Sequence, residues 1–99
     1  MASLLARRTS RVEAGLTRIL LREDRSLAER LLAVTRLRER PTSTSVAPGV
    51  LPVLLDGSLA LREETSLLLA QLTGKQISVG AGDPKALHAA WRDALGVSE

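Results

Sequence analysis

Apolar side chains recur at Val12, Leu16, Ile19 and Leu20, the spacing of one helix face, and predict a first helix over Arg11–Leu21. Ser10-Arg11-Val12-Glu13 reads as a Ser-x-x-Glu capping box at its start, in which hydroxyl and carboxylate satisfy free backbone N–H groups. Glu23 to Arg25 make a turn. A second box, Ser26-x-x-Glu29, opens a helix over Leu27–Arg38 that Pro41 stops. On that helix Leu27, Ala28, Leu31, Leu32, Val34 and Leu37 cover well over half the circumference, so it must be packed on more than one side. Pro41 to Gly49 is a polar linker with two prolines. A short third helix is predicted from Pro48 to Leu55, and a fourth from Leu59 to Leu72 that ends at Thr73-Gly74, glycine being the common left-handed stop. Asp83-Pro84, a cap followed by a first-turn proline, opens a last helix carrying Leu87, Trp91 and Leu95, which stops at Gly96.

The chain nearly repeats itself. Asp24-Arg25-Ser26-Leu27-Ala28-Glu29-Arg30 returns as Asp56-Gly57-Ser58-Leu59-Ala60-Leu61-Arg62 at a spacing of 32. Leu16, Ile19, Leu20 and Leu21 return as Val50, Val53, Leu54 and Leu55 at a spacing of 34, the difference falling in the loop. Self-similarity at this period marks stacked helical hairpins, each too small to bury its apolar face alone. In both copies the Asp is expected to cap the second helix of the hairpin and the Arg to bond turn carbonyls or the next Asp.

The stretch Leu61-Arg62-Glu63-Glu64-Thr65-Ser66-Leu67-Leu68-Leu69-Ala70-Gln71-Leu72-Thr73-Gly74 resembles the inner helix of a HEAT repeat, whose bacterial form often reads Asp, a few residues, then Val-Arg-x-x-Ala-x-x-Ala-Leu-Gly-x-Leu-Thr-Gly. Asp56, Arg62, Leu69, Leu72, Thr73 and Gly74 match it; Leu61, Thr65, Leu68 and Ala70 depart from it. The first copy keeps Asp24, Arg30, Ala33 and Leu37 but places Arg36 and Arg38 where small or apolar residues are usual. The resemblance extends from about Arg11 to Leu95, with Ala89-Ala90-Trp91-Arg92 similar to the Trp-bearing helix that closes such arrays. It implies an all-α, right-handed α-solenoid of about two HEAT-like hairpins plus a C-terminal cap helix. The parts of this single domain are an N-terminal extension (1–10), a first hairpin (11–40), a linker (41–47), a second hairpin (48–74) and the cap (83–96). The family implies binding rather than chemistry.

Composition narrows this reading. With 44% hydrophobic residues but no Phe, no Tyr and one Trp, the core must be built from Leu, Val, Ile and Ala, as suits packed helices. The absence of cysteine excludes disulfides, thiolate metal sites and a cysteine nucleophile, and points to a cytoplasmic setting. No apolar run approaches the roughly 18 to 20 residues of a membrane span. The net charge of +3 is uneven: the chain carries +5 up to Arg40 and −2 beyond it. Met1 to Val12, free of acid and bearing Arg7, Arg8 and Arg11, has the composition of a mitochondrial transit peptide. Glu13, Glu23 and Asp24 follow at once, and residues 16–21 belong to the repeat, which argues against a cleaved leader.

Catalytic chemistry finds little footing. His88 is the single histidine and reads as a solvated helix residue, so no triad or multi-histidine metal site is available within one chain. Glu63 and Glu64 point about 100° apart on a helix and read as a solvated face. Gly74, Gly80 and Gly82 form no phosphate loop. Trp91, with Leu87 and Leu95 at four-residue spacing, reads as buried in the cap. The expectation is therefore a non-enzymatic module with no cofactor, metal, membrane or small-molecule substrate, binding a protein partner or a further copy of itself. Two hairpins are fewer than such arrays usually need, which leaves the N-terminal flank uncovered. Its expected contacts are Leu4, Leu5, Val12 and Leu16, rimmed by Arg11, Arg18 and Arg22. The alternative is nucleic-acid binding through the arginine-rich first hairpin, against which stand the interleaved acids and the lack of aromatic side chains for stacking.

Overall fold

In the computed structural model the described backbone comprises residues 4–39, 42, 44 and 46–96, with side chains described from Arg11 onward. These residues are helical without strands: α1 (Leu4–Leu21), α2 (Leu27–Glu39), α3 (Val46–Val50), a 3₁₀ helix (Leu51–Leu55), α4 (Leu59–Thr73) and α5 (Pro84–Leu95). No helix among them is long and apolar enough to cross a membrane.

Helix ends follow local chemistry. Ser26 caps α2: its Oγ accepts the Glu29 amide at 3.1 Å, and Glu29 accepts in return from the Ser26 hydroxyl and backbone N–H. Ser58 caps α4 through Oγ, which accepts the Leu61 amide, and Asp83 caps α5 ahead of Pro84. Gly74 and Gly96 terminate α4 and α5 with φ of +69°, a conformation that costs glycine nothing.

Two boundaries depart from the sequence reading. α1 begins at Leu4, not Arg11, so Ser10 and Glu13 lie inside a continuous helix rather than at its start. Ser-x-x-Glu is compatible with a helix interior, and here nothing breaks the helix before it. The third helix starts at Val46 rather than Pro48 and divides near Pro52, which has no amide to give the Pro48 carbonyl: α3 passes into a 3₁₀ turn at Leu51.

α1 packs on α2 and α2 on α4; α1 also meets α3, and the 3₁₀ segment meets both α4 and α5. One apolar cluster joins these elements, with Leu20, Val34, Leu37, Val50, Leu54, Leu61, Leu68, Leu69, Leu87 and Trp91 essentially without solvent contact. Trp91 is sealed against α4, its Nε1 donating to Ser66 Oγ at 2.9 Å. With a radius of gyration of 13.3 Å the chain has the compactness of a single core.

Buried arginines tie the repeats together. Arg30 donates through Nε to the Leu20 carbonyl at 2.9 Å and pairs with Asp56 at 2.9 Å, so it runs from the end of α1 to the turn of the second hairpin. Arg62 donates to the Asp56 carbonyl at 2.7 Å and to the Ala81 carbonyl at 2.8 Å, reaching the loop before α5. Each Arg thus links its own turn to the next unit. The Asp does not cap the inner helix as the sequence suggested. Asp56 accepts from the Ser58 amide, while the N-cap role in both copies belongs to serine.

Candidate protein-binding groove

Between α1 and α2 runs a groove of about 530 Å³ lined by Val12, Leu16 and Ile19 from α1 and by Glu29, Leu32, Ala33, Arg36 and Glu39 from α2. Its floor is apolar, and Val12 and Leu32 stand 46% and 55% exposed on its two walls. The repeat explains its position. Shifted by 32 residues, Glu29, Ala33 and Arg36 correspond to Leu61, Thr65 and Leu68 of α4, all three buried. On α4 that flank faces α2: Glu64 and Gln71, on the same side as Leu68, reach Arg38 through an ion pair and a 2.7 Å hydrogen bond to its carbonyl. α2 covers α4, and the matching flank of α2 is the wall of the groove.

The predicted contact residues separate on inspection. Val12 and Leu16 line the groove. Arg11 and Arg18 are exposed, and Arg18 lines a different depression, with Glu13, Thr17, Val46 and Gly49, between α1 and α3. Arg22 lies beyond α1 and is held by Asp24, Nε to Oδ1 at 2.9 Å. Leu4 and Leu5 fall in the first turn of α1, where side chains are outside the described residues. At 100° per residue Arg11 and Arg18 lie about 100° round α1 from Val12, Leu16 and Ile19, so they flank the groove rather than rim it. The rim charges are instead Glu29, Arg36 and Glu39. Sequence reasoning missed these and Leu32 because it searched α1. The signal was available in the 32-residue shift, which places two charged residues of α2 where α4 has leucine.

Electrostatics along this edge come from local pairs. Hydrogen bonds from Ser26, with help from Arg25, hold the Glu29 carboxyl below the usual range. The hydrogen bond from Arg22 does the same for Asp24. Arg25 pairs with Glu29 at 3.1 Å and Arg38 with Glu64, while Arg36 has no hydrogen-bond or ion-pair partner among the described residues. Glu64, expected in solvent, is half-buried by its pair. A further, smaller hollow of about 120 Å³ lies beside the Arg30–Asp56 pair. Among the described residues no three His, Asp or Glu side chains converge as a metal site would require.

No family model, curated protein or solved structure matches this chain.

Proposed function

We propose that the chain is a HEAT-like helical-hairpin module without catalytic activity, which binds a protein through the α1–α2 groove. The observation that carries this reading is the equivalence of flanks: the face of α4 that α2 covers recurs on α2 as an open, largely apolar groove. Leu61 and Leu68 are buried and their counterparts Glu29 and Arg36 exposed, while Ala33, like Thr65, is buried at the base; such a partly uncovered flank is where an array of this kind accepts its next layer. The solenoid reading is supported by the packing of α1 on α2 and of α2 on α4 and by the arginines that reach from hairpin to hairpin. A nucleic-acid role is less favoured by the structure, since Arg22, Arg25, Arg30 and Arg38 are each engaged by a carboxylate. That leaves a weakened field on the first hairpin.

Site-specific photocrosslinking tests the proposal. A photoreactive residue at Leu32, in the groove, should capture a discrete protein species under native conditions, whereas the same residue at Leu67, comparably exposed on α4, should not. Equal capture at both positions, or none at Leu32, would sink the reading.

A further inference from the structure

Of the five α2 residues that line the groove, Glu39 lies at the C-terminal end of the helix and the other four are Glu29, Leu32, Ala33 and Arg36. These four are spaced i, i+3, i+4 and i+7, a single stripe of one helix face. Along the chain the stripe reads acid, apolar, apolar, base. Read from the opposite end it gives base, apolar, apolar, acid, so an antiparallel copy of the same helix sets Glu29 against Arg36 and Arg36 against Glu29. At a rise of 1.5 Å per residue the two charges stand about 10 Å apart along the axis, each about 5 Å from the midpoint between Leu32 and Ala33. A two-fold contact requires one patch to complement itself, and this stripe does so in both charge and polarity.

We propose that the groove is occupied by a second copy of this chain, docked α2 against α2 about a two-fold axis passing between Leu32 and Ala33. This rests on the reading of the groove as a docking face and names its occupant. Leu32, more than half exposed, is the projecting side chain, and the slot lined by Val12, Leu16 and Ile19 on the other copy receives it. The four helices α1, α2 and their partners then form an antiparallel bundle, a packing in which helices cross at about 20° with axes about 8–10 Å apart. Arg36, without a partner among the described residues, gains one in the dimer. Glu29 keeps capacity for it, since a carboxylate already held by Arg25 and Ser26 has further lone-pair directions. The same device operates inside the chain on the other side of α2, where Arg38 and Glu64 pair at the edge of an apolar seam. The charges fix register and orientation, and the apolar groove supplies affinity.

Sedimentation equilibrium on the full chain tests this, with circular-dichroism melts to verify that each variant is folded. The unmodified chain should dimerise. Arg36→Glu puts like charges at both contacts and should weaken the dimer about ten-fold or more. Glu29→Arg should do the same, and an equimolar mixture of the two variants should recover association because opposite charges meet again at both contacts. Leu32→Ser, an exposed position on the monomer, should abolish the dimer without lowering the helical signal. A chain that stays monomeric at high concentration overturns the proposal. So does a dimer indifferent to Arg36→Glu and Leu32→Ser, which would be formed by another face. Crosslinking at Leu32 separates the docking face from its occupant: capture of a different protein keeps the docking face and rejects the second copy, and the absence of capture ends both.

Discussion

The turn that opens α2 and the turn that opens α4 carry the same Asp-x-Ser-Leu-Ala motif, yet the two aspartates lead different lives. Asp56 keeps 14% of its side-chain exposure, receives Arg30 from the preceding hairpin and, through its carbonyl, Arg62 from its own. Asp24 keeps 64% and, among the described residues, pairs with Arg22, two residues away. The serines beside them do identical work, capping the helix that follows. The cap is therefore a property of the local sequence, whereas the ion pair is a property of the stack: it exists only where another hairpin lies on the N-terminal side. The flanks of the helices tell the same story. Leu68 of α4 is sealed beneath α2, and its counterpart Arg36 looks into the groove.

The sharpest way to break this comparison is at those flank positions. Leu68→Ala empties a site with no solvent access and should cost about 3 kcal/mol or more, because the cavity adds to the lost transfer free energy. Arg36→Ala should stay within about 0.5 kcal/mol in the monomer, as surface substitutions usually do. Urea denaturation at low protein concentration measures both, and similar losses at the two positions would show that the flanks are not in different environments. Next comes the aspartate pair. Asp56→Ala strips Arg30 of its partner in a site where neither side chain exceeds 14% exposure, and should cost about 3 kcal/mol, the lower end of the range for buried pairs because some water access remains. Asp24→Ala, at a solvent-exposed surface pair, should leave the denaturation midpoint where it was. If Asp24→Ala proved as damaging as Asp56→Ala, the distinction between cap and stack would fail.

Much of this architecture is legible in the sequence because it is local. The starts of α2, α4 and α5 and the stops at Gly74 and Gly96 follow from side chains within a few residues. The burial of Trp91 follows from the spacing of its own helix. The repeat likewise led to the bracing arginines and their reach to the next Asp, which Arg30 fulfils. What the sequence hid was non-local or ambiguous. Ser10 and Glu13 satisfy the capping pattern equally well from inside a helix, so α1 was expected seven residues too late. Arg38 looked out of place at a seam position until Glu64 came across from α4 to meet it. The groove itself depends on which flank of α2 remains uncovered, and apolar spacing spread around most of that helix cannot say which.

The smallest effect is the one that isolates the cap from the stack. In α2 the cap is reciprocal, Glu29 accepting from Ser26, whereas α4 has Leu61 at the corresponding position and no titratable partner. Glu29 is held below its usual range chiefly by the Ser26 hydroxyl, then by the Ser26 amide and Arg25. A carboxyl depressed in the folded state contributes stability that is fully present above its unfolded-state value, about pH 4.3 for a glutamate, and that disappears as the pH falls through the lower folded-state value. Glu29→Gln keeps an acceptor for the Ser26 amide but removes the titration. The unmodified chain should therefore melt slightly above Glu29→Gln at neutral pH, with the gap closing only below about pH 4.3 as Glu29 takes up its proton. Thermal melts of the two chains across that interval, at a protein concentration low enough to keep both monomeric, measure the gap. A gap that persists unchanged to the acid end would mean that the Glu29 charge contributes nothing to the cap, and that serine alone starts both inner helices.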